Sequence, residues 1–463
     1  MTSSVLSTRE TYHVLDDLTI EVEVYQNPYQ FQLDELFQMA TRINKKRSFL
    51  FVSKVLGKHL AVNPHIPLLV GSLLAMRYRE VVHGIVDPRA AAVAKAIQTN
   101  EQTEQLLDSI RIQPIGLPKP TTFIGFAETA TALGHAVFST FENNAKYIHT
   151  TREQINERTS IIDFEEEHSH ATSHRVYARD LQFFQDDSEV VLIDDEITTG
   201  KTAINIIKTI SATYPSKKVF TVVSILDWRT EEYRQRYRQL EQELAITIHA
   251  VTLLDGGVSV TGQPVLEEGT VEPIPDCKQE LAYTSMKAFI DAELLERVTS
   301  TNVNGSSNAS PYLTATGRFG HTIEEDKVLS HQLQEAASHL RGQRRGAKTL
   351  VIGTGEFMYV PMQIASHMGA AVYFQATTRS PIYQSDNDAY TIHNKFVFDS
   401  PENEGLINYL YNIKAHQYDE IFIFVERMST VNGVDTLIKE LRKTQIPYIT
   451  IVMMTEPAES KGG

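Results

Sequence analysis

The sequence predicts an α/β protein with two consecutive domains, each built on a parallel sheet with helices on both faces. Short β-branched runs alternate with amphipathic helical segments from about residue 120 to 255, and a second alternating set follows residue 317. Such alternation is typical of βαβ units and parallel sheets. Residues 299–316 are rich in Ser, Thr, Asn and Gly, with almost no periodic apolar signal, which predicts a flexible linker. We therefore expect one domain over 1–298 and another over 317–463.

Each expected element follows from a local pattern. In the first domain, short strands and helices are mixed over about 1–115, and a core of five strands follows over about 116–260. Those five strands are expected at 122–125, 147–150, 190–194, 219–226 and 246–253. The second domain is expected to begin with a helix at 324–340 and to contain strands at 350–353, 371–375, 421–425 and 448–453.

Composition excludes several classes of function. The 463-residue chain carries 43 basic and 58 acidic side chains, a net charge of −15, so its average surface repels nucleic acids and anionic lipids. We expect neither as a partner. The single cysteine, Cys277, excludes a disulfide framework and Cys-rich metal sites. The lack of a signal-like start or a long apolar window predicts a cytoplasmic protein.

The most specific motif is VVLIDDEITTGKT at 190–202. A buried strand is expected to end at Asp194 and Asp195, followed by a tight turn and a helix that begins near Lys201. Amide hydrogens from Thr198, Thr199, Gly200, Lys201 and Thr202 would then point at one anion at a helix N-terminus. The two carboxylates are suited to ribose hydroxyls, or to Mg²⁺ held through water. Together these features predict a ribose 5-phosphate site.

The Gly-Lys-Thr ending is not a nucleotide-binding P-loop, because a P-loop requires glycine at the position that Asp195 occupies. The segment instead resembles the phosphoribosyl diphosphate (PRPP) signature of type I phosphoribosyltransferases. It departs from that signature at Glu196, where the family has an aliphatic residue. The resemblance implies a phosphoribosyltransferase fold with PRPP as co-substrate and Mg²⁺ as cofactor.

Two upstream segments match other parts of such a site. FIGFAETATALGHAV at 123–137 lies where the family has its pyrophosphate-binding loop, which implies that Ala127, Glu128 and Thr129 contact the ligand. Glu128 is unusual there, and it either contacts Mg²⁺ or caps the following helix. HTTRE at 149–153 lies where the family often has a basic residue for pyrophosphate, which makes Arg152 the candidate.

The segment FEEEHSHATSHRVY at 164–177 lies where the family has its mobile catalytic loop. As a lid, it would bring His168, His170, His174 and Arg175 to the departing pyrophosphate, and His168, His170 and Arg175 are our catalytic candidates. A His-x-His-x₃-His metal site and a solvated loop are the alternatives.

Residues 1–115 correspond to the family's variable hood over the base, in which Lys54, Lys58 and His59 could help to select the acceptor. A packed amphipathic segment whose lysine stems lie along apolar surface explains the same residues equally well.

The C-terminal domain repeats the order of the first. Ile-Gly-x-x-Glu at 124–128 recurs at 352–356, and Thr-Thr-Arg at 150–152 recurs at 377–379. A third match pairs LIDDEITTG with IFVERMSTVNG at 423–433, where the acids are reduced to Glu426. The pattern suggests a degenerate duplication that keeps anion binding without catalysis; chance similarity is the alternative.

TTRSP at 377–381, with GTGEFMYVP and GRFG before it, resembles the TRSP domain. That domain follows a phosphoribosyltransferase domain in proteins associated with bacterial tellurium-resistance stress gene clusters.

We therefore expect Mg²⁺-dependent transfer of 5-phosphoribosyl from PRPP to a base-like acceptor, with release of pyrophosphate, in nucleoside-like metabolite synthesis or a stress response. The alternative is a regulator that binds PRPP or a nucleotide without catalysis. In a third hypothesis, the second domain only binds product or docks a partner. The resemblance also implies a homodimer.

Overall fold

The computed structural model describes residues 9–15, 18–43, 49–165, 173–264, 266, 278–302, 304–430 and 432–455. Within these residues the chain forms a large mixed sheet and a smaller parallel sheet, which share one layer of helices between them. Cys277, His168 and His170 lie outside the described residues.

In chain order the strands are β1 Arg9–Val14, β2 Leu18–Gln26, β3 Phe37–Thr41, β4 Phe49–Ser53, β5 Thr121–Gly125, β6 Ala145–His149, β7 Gln154–Ile155, β8 Ile162–Glu165, β9 Ser173–Val176, β10 Glu189–Ile193, β11 Glu196–Ile197, β12 Val219–Asp227, β13 Thr247–Thr261, β14 Glu280–Ser285, β15 Leu295–Glu296, β16 Ser300–Thr301, β17 Ser307–Asn308, β18 Tyr312–Leu313, β19 His321–Thr322, β20 Thr349–Gly353, β21 Val372–Ala376, β22 Lys395–Asp399, β23 Ile407–Tyr411, β24 Glu420–Val425 and β25 Tyr448–Met453. The helices are α1 Leu33–Leu36, α2 His65–His83, α3 Ala90–Thr99, α4 Thr103–Ile112, α5 Ala130–Phe138, α6 Lys201–Thr213, α7 Glu231–Leu244, α8 Ile323–Gln343, α9 Tyr359–His367 and α10 Asp435–Leu441. None of the described helices is both long and apolar enough to cross a lipid bilayer.

The first sheet has the order β1-β2-β13-β12-β10-β5-β6-β19. Its five central strands, from β13 to β6, are parallel, and β1, β2 and β19 are antiparallel additions at the edges. The second sheet, β14-β25-β24-β20-β21, is parallel throughout. All nine strands that the sequence predicts are present, and the α/β prediction is confirmed.

Both faces of the first sheet are covered, as continuous apolar strands require. Phe123 and Ile124 on β5 point to opposite faces and belong to two separate hydrophobic cores. One core is closed by helices that include α2 and α5, and the other by α6 and α7. The first of these cores continues through α8 and α9 to Val351 on β20 of the second sheet. A single apolar core therefore joins the two halves of the chain.

The segment predicted as a flexible linker, 299–316, is structured instead. It forms β16, β17 and β18, and Tyr312 and Leu313 are fully buried. Arg427 of the second half donates to the carbonyl oxygens of Ser310 at 2.8 Å and Asn308 at 2.9 Å. Hydrogen bonds from buried side chains fix this polar segment, so its lack of apolar periodicity did not indicate flexibility.

The division at 298 and 317 also differs from the structure, because each half contributes a strand to the other's sheet. Strand β14, from before the expected linker, lies beside β25 in the second sheet. Strand β19, from after it, pairs with β6 in the first sheet. Each added strand covers a sheet edge that would otherwise expose unpaired backbone groups.

Candidate active site

Three loops meet at the carboxyl edge of the first sheet. They follow the adjacent strands β6, β5 and β10, whose ends are in register: Gly125 lies opposite Ile193 on one side and His149 on the other. The amide of Phe126 donates to the carbonyl oxygen of Ile193 at 3.0 Å, and the amide of Thr150 donates to that of Gly125 at 2.9 Å, so backbone bonds link the three strand ends. The carboxyl edge is where open parallel sheets bind ligands.

The loop after β10 carries the two predicted acids. Asp194 and Asp195 are both partly exposed. The amide of Asp195 donates to Oδ1 of Asp194 at 2.9 Å, and the amide of Asp194 donates to the carbonyl oxygen of Val223 at 3.0 Å. The chain then pairs with β12 through β11 and turns through 198–200 into α6. The turn is not buried, so a ligand can reach its amides.

Gly200 is required at the start of α6. Its φ is +70°, and a Cβ there would lie 2.4 Å from the Tyr237 hydroxyl oxygen. That hydroxyl donates to the Gly200 carbonyl oxygen at 2.8 Å, and Thr199 Oγ1 accepts from the Lys201 amide at 3.4 Å. The ring of Tyr237 is covered by the guanidinium of Arg229, 4.2 Å from its centroid. The buried side chains of Tyr237 and Arg229 thus lie on one side of the turn, while residues 198–200 stay partly exposed.

The loop after β5 contains Ala127, Glu128 and Thr129, and the Ala127–Glu128 peptide bond is cis. The Ala127 amide donates to Thr150 Oγ1 at 2.9 Å. Thr129 Oγ1 accepts a hydrogen bond from Lys58 Nζ. Glu128 Oε2 accepts from the Arg379 amide at 3.4 Å, so the carboxylate reaches into the second half of the chain. This contact is not a helix cap, and the other expectation for Glu128, contact with Mg²⁺, stays a prediction.

The loop after β6 is also bound by the second half. Thr151 Oγ1 donates to Glu356 Oε2 at 2.9 Å, and the Arg152 amide donates to Glu356 Oε1 at 3.2 Å. Arg152 is partly exposed beside the loop that carries Glu128. Its contact with pyrophosphate stays a prediction.

The predicted lid is a β8–β9 hairpin whose connecting residues, 166–172, lie outside the described residues. His174 is fully buried; its Nδ1 lies 3.0 Å from Thr150 Oγ1, and its ring stacks on Phe164. Arg175 pairs through its backbone with Thr151, and its side-chain Nε lies 3.8 Å from Asp163 Oδ1. His174 is therefore part of the core below the loops, and a catalytic role for Arg175 stays a prediction.

The hood residues divide between our two interpretations. Lys58 reaches the active-site edge through Thr129, which fits a role at the site. His59 is only 5% exposed, and burial, with Lys58 and Arg42 nearby, holds its pKa well below the usual value. It is a neutral core residue. Lys54 is partly exposed next to β4.

A buried charge cluster occupies the corresponding edge of the second sheet. Arg318 pairs with Glu426 at 3.0 Å and with Glu356 at 3.2 Å. Glu402 accepts from Thr354 Oγ1 at 2.6 Å, and burial, together with Glu426, raises its pKa to about 8. Buried carboxylates and the arginine they pair with therefore occupy the edge where the sequence suggested an anion, and anion binding there stays a prediction.

The described residues include one group with metal-ligand spacing: His135, His321 and Asp326. Oδ1 of Asp326 lies 2.8 Å from His135 Nε2 and 3.2 Å from His321 Nε2. Burial lowers the pKa of His135 to about 4, so its neutral ring can donate to the carboxylate. The hydrogen bonds of these three side chains connect α5, β19 and α8, which accounts for their proximity.

The sequence did not identify Glu356 and Arg379 as partners of the first domain's loops. The signal was present, because both belong to the repeated Ile-Gly-x-x-Glu and Thr-Thr-Arg motifs. A repeat shows which residues correspond, but it does not show that the copies contact each other.

Comparison with known proteins finds two family models that match the chain. A family model described as phosphoribosyl transferase matches residues 36–257, and one described as a TRSP domain, C-terminal to that transferase, matches residues 315–441. The two models together cover most of the chain. No curated protein matches it.

Solved structures that match part of the chain include adenine phosphoribosyltransferase from Leishmania tarentolae, which is 14% identical with a TM-score of 0.28 over 48% of this chain and 84% of that chain. Adenine phosphoribosyltransferase from Trypanosoma brucei, in complex with AMP, pyrophosphate and ribose 5-phosphate, is 16% identical with a TM-score of 0.23 over 35% and 68%. Orotate phosphoribosyltransferase from Mycobacterium tuberculosis, in complex with PRPP, is 14% identical with a TM-score of 0.18 over 40% and 88%. The family assignment rests on the two family models.

Proposed function

Because the chain belongs to the phosphoribosyl transferase family and carries the TRSP domain that follows it, we propose that it transfers 5-phosphoribosyl from PRPP to a nitrogenous, base-like acceptor. Pyrophosphate is released. One observation carries this proposal: a partly exposed glycine turn and two carboxylates lie at the same sheet edge as the loops after β5 and β6.

Each part of PRPP has a complementary group at this edge. The amides of residues 198–202 bind the 5-phosphate, because they lie at the N-terminus of the 13-residue helix α6. Asp194 and Asp195 accept hydrogen bonds from the ribose hydroxyls. The loop of residues 127–129 and Arg152 bind the diphosphate.

The reaction needs no nucleophile from the protein. The acceptor nitrogen forms a bond to C1 of the ribose as the bond from C1 to the diphosphate oxygen breaks. The electron pair of the broken bond leaves with pyrophosphate, and the proton of the acceptor nitrogen passes to water. Positive charge that develops on the ribose is stabilised by the neighbouring carboxylates of Asp194 and Asp195.

Mg²⁺ fits the side chains at this site. Partly exposed carboxylate oxygens are the ligands that Mg²⁺ prefers, and Asp194 and Asp195 provide them. These two residues would hold the ion through water, and the bound ion would offset the charge of the diphosphate. The product is a nucleoside-like phosphate, and a role in stress metabolism is proposed from the resemblance to TRSP proteins of tellurium-resistance clusters.

The test combines titration calorimetry with a pyrophosphate-release assay. The wild type should bind Mg²⁺-PRPP and should release pyrophosphate when a mixture of bases and nucleosides is added. The double variant Asp194→Asn/Asp195→Asn should stay folded and lose about 100-fold or more in turnover. Asp187→Asn is the matched control, because Asp187 is exposed near the opposite end of β10.

The outcomes separate the hypotheses. A wild type that does not bind Mg²⁺-PRPP refutes both the transferase and the non-catalytic regulator. Binding without pyrophosphate release from any acceptor mixture supports the regulator. A double variant with unchanged turnover contradicts the role of the two acids.

A further inference from the structure

The repeat in the sequence has a counterpart in the fold. The first sheet contains the order β6-β5-β10-β12, and the second contains β21-β20-β24-β25, so corresponding strands are arranged alike. The loops at the strand ends are held by equivalent bonds. The Ala127 amide donates to Thr150 Oγ1 at 2.9 Å, and the Gly355 amide donates to Thr377 Oγ1, also at 2.9 Å.

The two copies contact each other reciprocally through these loops. Glu128 of the first copy accepts from the Arg379 amide of the second at 3.4 Å. The corresponding Glu356 of the second copy accepts from the Arg152 amide of the first at 3.2 Å. Corresponding residues that exchange partners in this way are the mark of an isologous interface, like that between two copies in a dimer. Within this chain, the second domain occupies the place of a partner subunit.

The two sides of this interface differ in charge. On the second-domain side, Glu356 is paired with the guanidinium of Arg318 at 3.2 Å. On the first-domain side, Glu128 Oε1 is buried without a hydrogen-bond partner. Among the described residues, no carboxylate forms an ion pair with Lys58 or Arg379. Lys58 and the backbone of Arg379 therefore both contact the loop after β5, and one carboxylate oxygen in that loop, Oε1 of Glu128, has no hydrogen-bond partner.

The loop that presents Arg379 is fixed by its neighbours. The Tyr411 hydroxyl donates to the carbonyl oxygen of Ser380 at 2.6 Å and accepts from the amide of Ile382 at 2.9 Å. The carbonyl oxygen of Pro381 accepts from the Ile43 amide at 3.4 Å. Arg379 is partly exposed on this loop. These bonds fix the Thr-Arg-Ser-Pro segment, whose Arg379 amide contacts Glu128 in the other domain's loop.

We propose that the C-terminal domain completes the diphosphate side of the first domain's site, with Arg379 and Lys58 as the cations that bind the diphosphate of PRPP. This inference rests on the proposed function. A diphosphate carries several negative charges, and Glu128 adds another, so Arg152 alone would leave the site short of positive charge. The planar guanidinium of Arg379 can bind phosphate oxygens in a bidentate manner, and the Lys58 ammonium adds a point charge.

The test measures binding of three probes to the full-length chain by calorimetry: Mg²⁺-PRPP, inorganic pyrophosphate and ribose 5-phosphate. Arg379→Ala should weaken the binding of the first two about tenfold to a hundredfold and leave that of ribose 5-phosphate unchanged. Arg379→Lys should recover part of the loss, and Lys58→Met should show the same selectivity as Arg379→Ala. Arg442→Ala, an exposed arginine in the same domain, is the control and should bind all three probes like the wild type.

The readouts distinguish this inference from the proposed function. If the wild type binds neither PRPP nor pyrophosphate, both fail. If the wild type binds them and Arg379→Ala binds them equally well, only this inference is wrong. A variant that loses ribose 5-phosphate together with pyrophosphate would show that Arg379 maintains the fold, and it would also overturn the inference.

Discussion

The buried carboxyl of Glu402 should make the stability of the protein fall as the pH rises, and Glu402→Gln should remove that dependence. Burial, with Glu426 nearby, raises the pKa of Glu402 from an ordinary 4.5 to about 8. Both donors that reach it, Thr354 Oγ1 and the Glu426 amide, use Oε1, which leaves Oε2 for the proton. A glutamine keeps the accepting oxygen and cannot ionise.

The sign follows from proton linkage. Below pH 4.5 the folded and unfolded chains both hold the proton, so Glu402 contributes no pH dependence. Between pH 4.5 and about 8, only the folded protein keeps it, and the free energy of unfolding falls by about 1.4 kcal/mol per pH unit. Above pH 8 the loss levels off. The accumulated loss has an upper limit of about 5 kcal/mol.

The assay is urea unfolding followed by far-ultraviolet circular dichroism at pH 5 to 9. Wild type and Glu402→Gln should be similar near pH 5, and the variant should become progressively more stable up to pH 8. Glu404→Gln is the matched control, because Glu404 is exposed on the same loop. Parallel stability curves for wild type and Glu402→Gln across this range would refute a protonated Glu402.

Three further predictions follow from the packing. Gly200→Ala should lower the free energy of unfolding by about 1–2 kcal/mol, because residue 200 has a left-handed backbone conformation. It should also weaken ribose 5-phosphate binding at least about tenfold, because the added Cβ displaces the turn from Tyr237. An unchanged affinity in calorimetry would contradict this. Arg427→Met should lower the free energy of unfolding, measured with urea, by about 3–5 kcal/mol, because the buried Glu153 carboxylate loses the arginine that lies 3.6 Å away. A loss below about 1 kcal/mol would show that the pair is not essential. The fragment 1–298 should unfold without cooperativity and should elute as aggregates in size-exclusion chromatography, because β14 loses its partner β25 and the shared core is exposed. A monomeric fragment that unfolds cooperatively would show that the halves are independent.

Much of the fold was accessible from local sequence patterns. Eight of the nine predicted strands lie within two residues of their observed bounds, and the ninth, β13, continues to Thr261. A strand buried on both faces requires a continuous apolar run, and such runs are visible in the sequence. The turn around Gly200 was predicted from consecutive residues, although its packing against Tyr237 was not visible in the motif. Strand β14 was missed: its sequence, ELAYTS, is mostly exposed at a sheet edge and lacks such a run.

The candidate site was only partly predictable for a related reason. Asp194, Asp195 and the turn at 198–202 are consecutive in the chain, so one motif contains them. Arg379 and Glu128 are 251 residues apart and meet only because two sheets share a core. Their contact leaves no local pattern in the sequence.

The sequence by itself determined the elements that depend on near neighbours: the strands, the glycine turn with its acids, and the repeated motifs. The tertiary structure alone decided how the two repeats face each other, which half contributes β14 and β19, and which carboxylates are buried with arginines. These features arise from burial and from electrostatic pairing between distant segments. Such interactions depend on separation in space, which a one-dimensional pattern does not specify.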